Sequence, residues 1–245
     1  MNRFAGQVAL ITGAGSGIGR ATALALAAEG ASLWLVGRRL AALEDVAAQA
    51  RSLKADVRCC AVDVGLDSDV AALAARVHAE SAGLDVLIHS AGTIAMGALE
   101  SAAVADFDRQ YQINVRAPYL LTQSLLPALR SKQGQVVFVN STAGLTAAPH
   151  LSQYAATKFA LKALADSIRA ELNPDGIRVL TVYTGRTATP MQQTVCEMEG
   201  RPYRPEQLIQ PGDVAALIIS ALALPRTAEV TEVAVRPMQK PPGAG

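Results

Sequence analysis

Val8-Ala-Leu-Ile-Thr12-Gly13-Ala-Gly-Ser-Gly17-Ile-Gly19 is the stretch that decides the fold. Residues 8–12 are apolar and β-prone, a short run of the kind that forms a fully buried strand. Glycines follow at once at alternate positions: Gly13, Gly15, Gly17 and Gly19. Residues 18–28 are then rich in Ala and Leu and stop at Glu29-Gly30, which reads as a helix with a glycine terminator. Strand, glycine turn, helix is an arrangement that binds phosphate. The glycines let the backbone approach a pyrophosphate, and the helix amino terminus, from Ser16 and Ile18 onward, offers it free N–H groups and positive dipole. The common dinucleotide pattern G-x-G-x-x-G fits in no register; the spacing is Thr12-Gly13-x-x-x-Gly17-x-Gly19 instead. Such a turn can also bind nothing, so the reading draws its weight from the rest of the chain.

Outward from this stretch, short apolar runs continue to alternate with Ala-rich helical segments. Further strands are expected at 32–36, 56–62, 86–89, 135–140, 178–183 and 232–236. The pattern predicts an α/β fold: a single-domain, Rossmann-type, doubly wound sheet of about seven parallel strands with helices on both faces. At 245 residues one domain covering 1–245 has ample core. No Pro/Gly/Ser-rich linker divides it and no repeat at solenoid periods is present. Residues 185–210 read as a long irregular loop and hence as a substrate lid, and residues 241–245 as a short loose tail.

Composition excludes several classes. The net charge is +1 without a basic block, so neither nucleic acid nor a membrane surface has an electrostatic footprint. No apolar run approaches the roughly 20 residues needed to span a bilayer, and no charged-then-apolar signal region precedes the first strand. Cys59, Cys60 and Cys196 form no disulfide framework, and His78, His89 and His150 have no ligand spacing. The expectation is a cytoplasmic protein without a metal.

A second motif carries chemistry. In Ser152-Gln-Tyr154-Ala-Ala-Thr-Lys158 a phenol and an ammonium stand four residues apart, on one face of a helix. A neighbouring cation favours phenolate, so the Tyr154 pKa is expected to fall from about 10 toward working pH, which suits a group that exchanges a proton with a substrate oxygen. Tyr and Lys at this spacing also occur on ordinary surface helices; the glycine turn is what gives the pair meaning.

With both motifs, the chain resembles the short-chain dehydrogenase/reductase family, in the branch of about 250 residues, over essentially its whole length. Thr12 to Gly19 match the family's T-G-x-x-x-G-x-G, and Tyr154 and Lys158 match Y-x-x-x-K. Ser141, thirteen residues before the tyrosine in Val139-Asn-Ser-Thr-Ala-Gly144, matches its catalytic serine, and Asn114 in Gln112-Ile-Asn-Val-Arg116 its asparagine. The resemblance implies catalytic roles for Asn114, Ser141, Tyr154 and Lys158. It implies cofactor contacts at the glycine turn, at Asp63 and Val64, at Ala91 and Gly92, at Lys158 and Tyr154, and at Gly185 and Thr189. Two departures stand out: His89-Ser90 replace two asparagines that usually brace the sheet, and Thr184 replaces a proline. His89 is better read as a core histidine than as a proton donor, a role already filled.

Cofactor choice rests on the second strand. An NAD-preferring sheet ends here in Asp or Glu, bonded to the adenosine ribose; this one ends Val36-Gly37-Arg38-Arg39. Gly37 removes the carboxylate that would repel a 2′-phosphate, and Arg38 offers a planar cationic fork to phosphate oxygens. Both arginines also suit a solvated start to the next helix. The usual second basic residue of the glycine turn is Ser16. The pattern favours NADP(H) over NAD(H).

The family resemblance implies hydride transfer between a carbonyl and an alcohol on a small-molecule substrate. Tyr154 would be general acid/base, Ser141 a hydrogen-bond donor to the same oxygen, and Lys158 a partner of Tyr154 and of the nicotinamide ribose. Asn114 would hold a helix irregularity and a water, and Thr189 would bond the carboxamide. An epimerase or dehydratase on the same fold, or a non-catalytic dinucleotide sensor, are the alternatives; the short carboxy terminus and the presence of all four catalytic positions weigh against them. The lid mixes Met191, Val195, Met198 and Tyr203 with Arg186, Arg201 and Arg204, which suits either an apolar substrate or an acid. Helices at about 103–130 and 152–173 carry Phe107, Tyr111, Phe159 and Leu161 as outer apolar candidates; the resemblance, in a family whose corresponding helices pair with their symmetry mates, implies a homodimer or homotetramer.

Overall fold

A computed structural model describes residues 2–238 of the chain. Seven strands form: β1 Val8–Thr12, β2 Ser32–Gly37, β3 Val57–Ala61, β4 Val86–His89, β5 Gln135–Ser141, β6 Arg178–Thr184 and β7 Glu232–Val235. All pair in parallel, in the order β3-β2-β1-β4-β5-β6-β7. The expected single parallel sheet is therefore present, with ends displaced by a residue or so. The expected tail at 241–245 lies outside the described residues.

Period-two alternation sorts the strand residues between two cores. Ala9, Ile11, Leu33 and Leu35 pack with Leu26 of α1 (Gly17–Ala28), Leu43 of α2 (Leu40–Ser52) and Ile218 of α8 (Pro211–Leu222). Leu10, Trp34 and Val36 point the other way, against Leu73 of α3 (Asp67–Glu80), Leu125 of α5 (Ala117–Arg130) and Leu161 of α6 (Ser152–Leu172). Because both faces are covered, the inner strands read as unbroken apolar runs. Leu161 corrects the sequence reading: it shares a helix face with Tyr154 and Lys158, at i+7 and i+3, and belongs to the core rather than to an outer surface.

The long helix expected at 103–130 is interrupted. α4 runs Val104–Tyr111, a π-helical turn occupies Gln112–Arg116, and α5 follows. Pro118, in the first turn of α5, has no N–H to give the carbonyl of Asn114 four residues earlier, and a wider i+5 bond from Ala117 N–H to Gln112 O takes over at the junction. The interval expected as an irregular lid is also more ordered than its sequence suggested: it holds the helix α7, Pro190–Met198, and a 3-10 turn, Pro205–Gln207.

The chain leaves β1 toward β2 on one side and later returns to β4 on the other. Crevices at such a switch point, beyond the carboxyl ends of the strands, are where open α/β sheets bind ligands.

Candidate active site

A cleft of about 280 Å³ opens at that switch point. Its floor is the glycine turn. Gly13 has φ 68°, and a Cβ there would lie 2.8 Å from the backbone nitrogen of Ala91, so the turn and the end of β4 press directly together. At Gly17, with φ 53°, a Cβ would come within 2.9 Å of Thr189 Cγ2. A Cβ at Gly19 would collide with the carbonyl of Gly13; this glycine serves the close packing of α1 on the turn and does not line the cleft. Ser16 caps α1 without a side-chain hydrogen bond, leaving the helix's first N–H groups for a ligand. These bare amides beside Gly13, Gly15 and Gly17, a cradle that side chains would fill, fit the pyrophosphate of a dinucleotide.

Of the other residues expected to contact a cofactor, Ser16, Ile18, Arg38, Arg39, Asp63, Val64, Ala91, Gly92, Tyr154, Lys158 and Thr189 line the same cleft. Thr12 and Gly185 act from behind it. Thr12 Oγ1 accepts from the N–H groups of Ser90 and Ala91, both at 3.1 Å. Gly185 N–H donates to Val235 O at 2.7 Å, with Pro237 and Arg236 closing round its Cα. Asp63 Oδ1 accepts from Gly65 N–H at 2.9 Å, which fixes the loop after β3.

Tyr154 and Lys158 lie in the amino-terminal part of α6, 9 % and 6 % exposed. Lys158 Nζ is 5.7 Å from the centre of the Tyr154 ring and donates a long hydrogen bond, 3.5 Å, to Val139 O. The expected fall of the tyrosine pKa does not occur here. Burial pushes the Tyr154 hydroxyl up to about 12, against a hydrogen bond with Ser141 that pulls it down. Burial also pushes Lys158 down to about 8. Desolvation is the dominant cause at both groups. Ser141 stands at the end of β5. Its Oγ accepts from Ala143 N–H at 3.1 Å; Ser141 does not itself line the cleft, and its side chain reaches the site through Tyr154.

Asn114 does not line the cleft. Its Oδ1 accepts from Thr93 N–H and its Nδ2 donates to Thr93 O, both at 2.9 Å, and to Thr157 Oγ1 at 3.1 Å. It thereby clamps the loop after β4 to α6. Where the family carries bracing asparagines, His89 makes contacts of its own. His89 Nε2 meets Thr122 Oγ1 at 2.8 Å, the ring stacks on Phe138 at 5.0 Å, and burial lowers its pKa to about 3. That is a neutral core histidine. Thr189 accepts from Gln192 N–H at 3.2 Å as the cap of α7, leaving its hydroxyl hydrogen for another acceptor.

Sequence reasoning missed several members. Arg109 and Ile113, one turn apart before Asn114, line the cleft, as do Thr93 and Asn140, while Met191 lines it from the expected lid; the i, i+4 spacing of Arg109 and Ile113 was the available signal. In the lid, Arg186 forms a two-pronged ion pair with Glu199 at 2.8 and 2.6 Å, and Arg201 Nε lies 4.0 Å from the same carboxylate. Among the described residues, no group of His, Cys, Asp and Glu suits a metal, and no helix is long and apolar enough to cross a membrane.

A parallel sheet with a switch-point cleft, a glycine turn and an open helix terminus defines a dinucleotide-binding fold of Rossmann type. A family model described as short chain dehydrogenase matches residues 7–200, and the chain belongs to the short-chain dehydrogenase/reductase family. An uncharacterized short-chain type dehydrogenase/reductase of Sinorhizobium fredii is 35 % identical over 243 residues, 97 % of this chain and 93 % of that protein. Among solved structures, an alcohol dehydrogenase of the archaeon Thermococcus sibiricus complexed with 5-hydroxy-NADP superposes with a TM-score of 0.88 at 27 % identity, covering 96 % of this chain and 98 % of that one. An NAD+-bound xylitol dehydrogenase gives 0.87 at 25 % identity, covering 96 % and 99 %. Relatives of this fold thus bind either dinucleotide.

Proposed function

We propose that this chain is an NADP(H)-dependent oxidoreductase that interconverts a carbonyl and an alcohol, with Tyr154 as general acid/base. The observation that carries the reading is the convergence of Tyr154, Lys158 and the bare glycine turn on one cleft, with Ser141 in hydrogen-bond contact with Tyr154. A nicotinamide bound there would supply or accept the hydride. Tyr154, held neutral by burial, keeps its proton at neutral pH and gives it to the substrate oxygen in reduction. Ser141 donates to that oxygen, a fixed dipole aimed at developing negative charge. Lys158, buried below the tyrosine, favours the phenolate and holds the nicotinamide ribose. Asn114, within the π-helical turn, holds the loop after β4 against α6, and the Thr189 hydroxyl meets the carboxamide.

NADP(H) preference is supported by Arg38 and Arg39 on the cleft wall beside Gly37, where no carboxylate stands. Glu199 already holds Arg186, and α7 turns Met191 to the cleft. This supports an uncharged ketone or secondary alcohol over an acid as substrate. We further read residues 1–245 as one dinucleotide-binding and catalytic domain with its lid at 185–210, a cytoplasmic homodimer or homotetramer without nucleic-acid or membrane partners.

The test is a panel of ketones, aldehydes and alcohols, neutral and carboxylate-bearing, assayed with each nicotinamide cofactor by its absorbance. Turnover of neutral ketones with NADPH is expected. No turnover across the panel with either cofactor would remove the enzymatic reading in favour of a dinucleotide sensor.

A further inference from the structure

In the cleft wall, which Asn140 and Thr184 both line, a buried amide joins the proposed catalytic residues to one another. Asn140, the penultimate residue of β5, is 2 % exposed. Its Oδ1 accepts from the N–H of Ser141 at 2.8 Å, and its Nδ2 donates to the carbonyl of Lys158 at 3.1 Å. The Asn140 main-chain carbonyl accepts in turn from the hydroxyl of Thr184 at 3.2 Å. Thr184 is itself buried at the end of β6, in register with Ser141. Gly144 completes the contact: a Cβ there would lie 2.8 Å from the Lys158 carbonyl oxygen and 3.1 Å from Asn140 Oδ1. The turn after Ser141 is thus docked on the same helical carbonyl that Asn140 holds.

A helical carbonyl has a second lone pair beyond its i+4 bond, and Asn140 takes the one at Lys158. Both ends of the amide are engaged, as burial requires. One short side chain therefore spans from the strand end bearing Ser141 to the turn of α6 bearing Tyr154 and Lys158. Thr184, standing where the family carries proline, supplies the hydroxyl that fixes the Asn140 peptide from the neighbouring strand. A proline ring has no such donor.

We propose that Asn140, anchored by Thr184, is a positioning residue that sets Ser141 against Tyr154 and Lys158, a proposal that rests on the catalytic reading of those three side chains. Asn140 acts through its neighbours. Misplacement of a catalytic group by about 1 Å can cost about a hundredfold in rate, so the effect belongs in kcat.

The experiment compares Asn140→Ala, Thr184→Val and Thr184→Ser with wild type, measuring kcat, KM and the dissociation constant of the dinucleotide. Thr184→Val keeps the shape and volume and removes the hydroxyl, so it remains informative if Asn140→Ala folds poorly. The expected result is a fall in kcat of about a hundredfold for Asn140→Ala and about tenfold for Thr184→Val. KM and dinucleotide affinity should change less than about threefold, and Thr184→Ser should recover most of the rate. The double variant should be little worse than Asn140→Ala, since the two act as a unit. Equal losses in kcat and dinucleotide affinity, or a lower melting temperature with kcat unchanged, would overturn the proposal.

A second readout needs no turnover. Tyrosinate absorbance, wild type minus Tyr154→Phe, reports the Tyr154 titration; because Ser141 pulls that titration down, the corresponding difference in the Asn140→Ala background should have its midpoint moved above the wild-type value. An unmoved midpoint overturns the brace on its own. Activity retained by Tyr154→Phe overturns the catalytic reading on its own.

Discussion

At Lys158 burial lowers the ammonium pKa from 10.5 to about 8. Between those values the unfolded chain binds the proton and the folded chain does not, so this residue makes folding stability rise with pH across that window. The full change is about 3 kcal/mol. Tyr154 has the opposite sign: its pKa is raised from 10.0 to about 12, so its contribution is complete below 10 and is lost as pH climbs through 12. In urea melts at about pH 7 and about pH 10, wild type should therefore gain on Lys158→Met by about 2–3 kcal/mol at the higher pH; parallel changes would show that the ammonium is not paying a burial penalty. Tyr154→Phe removes one hydroxyl and little volume, so turnover should disappear while dinucleotide binding stays nearly intact. A variant retaining a tenth or more of the wild-type rate, about 1.4 kcal/mol or less in barrier, would exclude the phenol as proton donor. The four-residue spacing of the pair placed Tyr154 and Lys158 side by side from the sequence. It gave the wrong direction for the tyrosine because spacing on a helix carries no information about depth, and depth decides the sign here.

Elements differ in how plainly the sequence announces them. β1 and the turn after it were legible because the glycines have packing reasons as well as ligand reasons: no side chain fits at Gly13 against Ala91, or at Gly19 against the Gly13 carbonyl. The π-helical turn was legible only as a family expectation, although Pro118 states its physical cause. α7 was missed: Thr189-Pro190 is a helix-start signal, an N-cap followed by proline at the first position, but the reading of residues 185–210 as loop overrode it. The turn from β2 into α2 bears on the cofactor. A Cβ at Gly37 meets only Leu43 Cδ2, at 3.4 Å, so Gly37→Asp should be accommodated and should shift preference toward NADH by restoring a ribose acceptor and repelling a 2′-phosphate. Arg38→Ala should raise KM for NADPH about ten- to a hundredfold, the worth of a charge-assisted hydrogen bond, with little effect on NADH. Arg39→Ala, the control for general positive charge, should cost less. Equal losses on both cofactors in Arg38→Ala would make that arginine structural, and a wild type that prefers NADH would overturn the preference itself.

At the scale of the molecule, the sheet was readable because alternate residues of β1 and β2 enter different cores while both cores are apolar, so pattern and burial agree along the whole strand. Assembly is a different matter, since it depends on what a folded surface leaves uncovered. Phe107 and Tyr111 of α4, Tyr119 of α5 and Phe159 of α6 remain exposed, Phe159 by 43 %, whereas Leu161 is buried among the α6 residues that face the sheet. A surface made of the same aromatic groups on two copies is self-complementary about a twofold axis, and aromatic side chains are enriched in the cores of such interfaces. Sedimentation at micromolar concentration should therefore give a dimer or tetramer. Phe159→Glu would place a carboxylate where an interface excludes water, at a position that contributes nothing to the chain's own core, so the melting temperature of the isolated chain should change little while the sedimenting species shifts toward one chain. If wild type already sediments as a single chain, the exposed aromatics have another role and the assembly is excluded. If Phe159→Glu leaves a stable oligomer intact, the contact lies elsewhere on the surface, with the exposed edge of β7 the next face to vary.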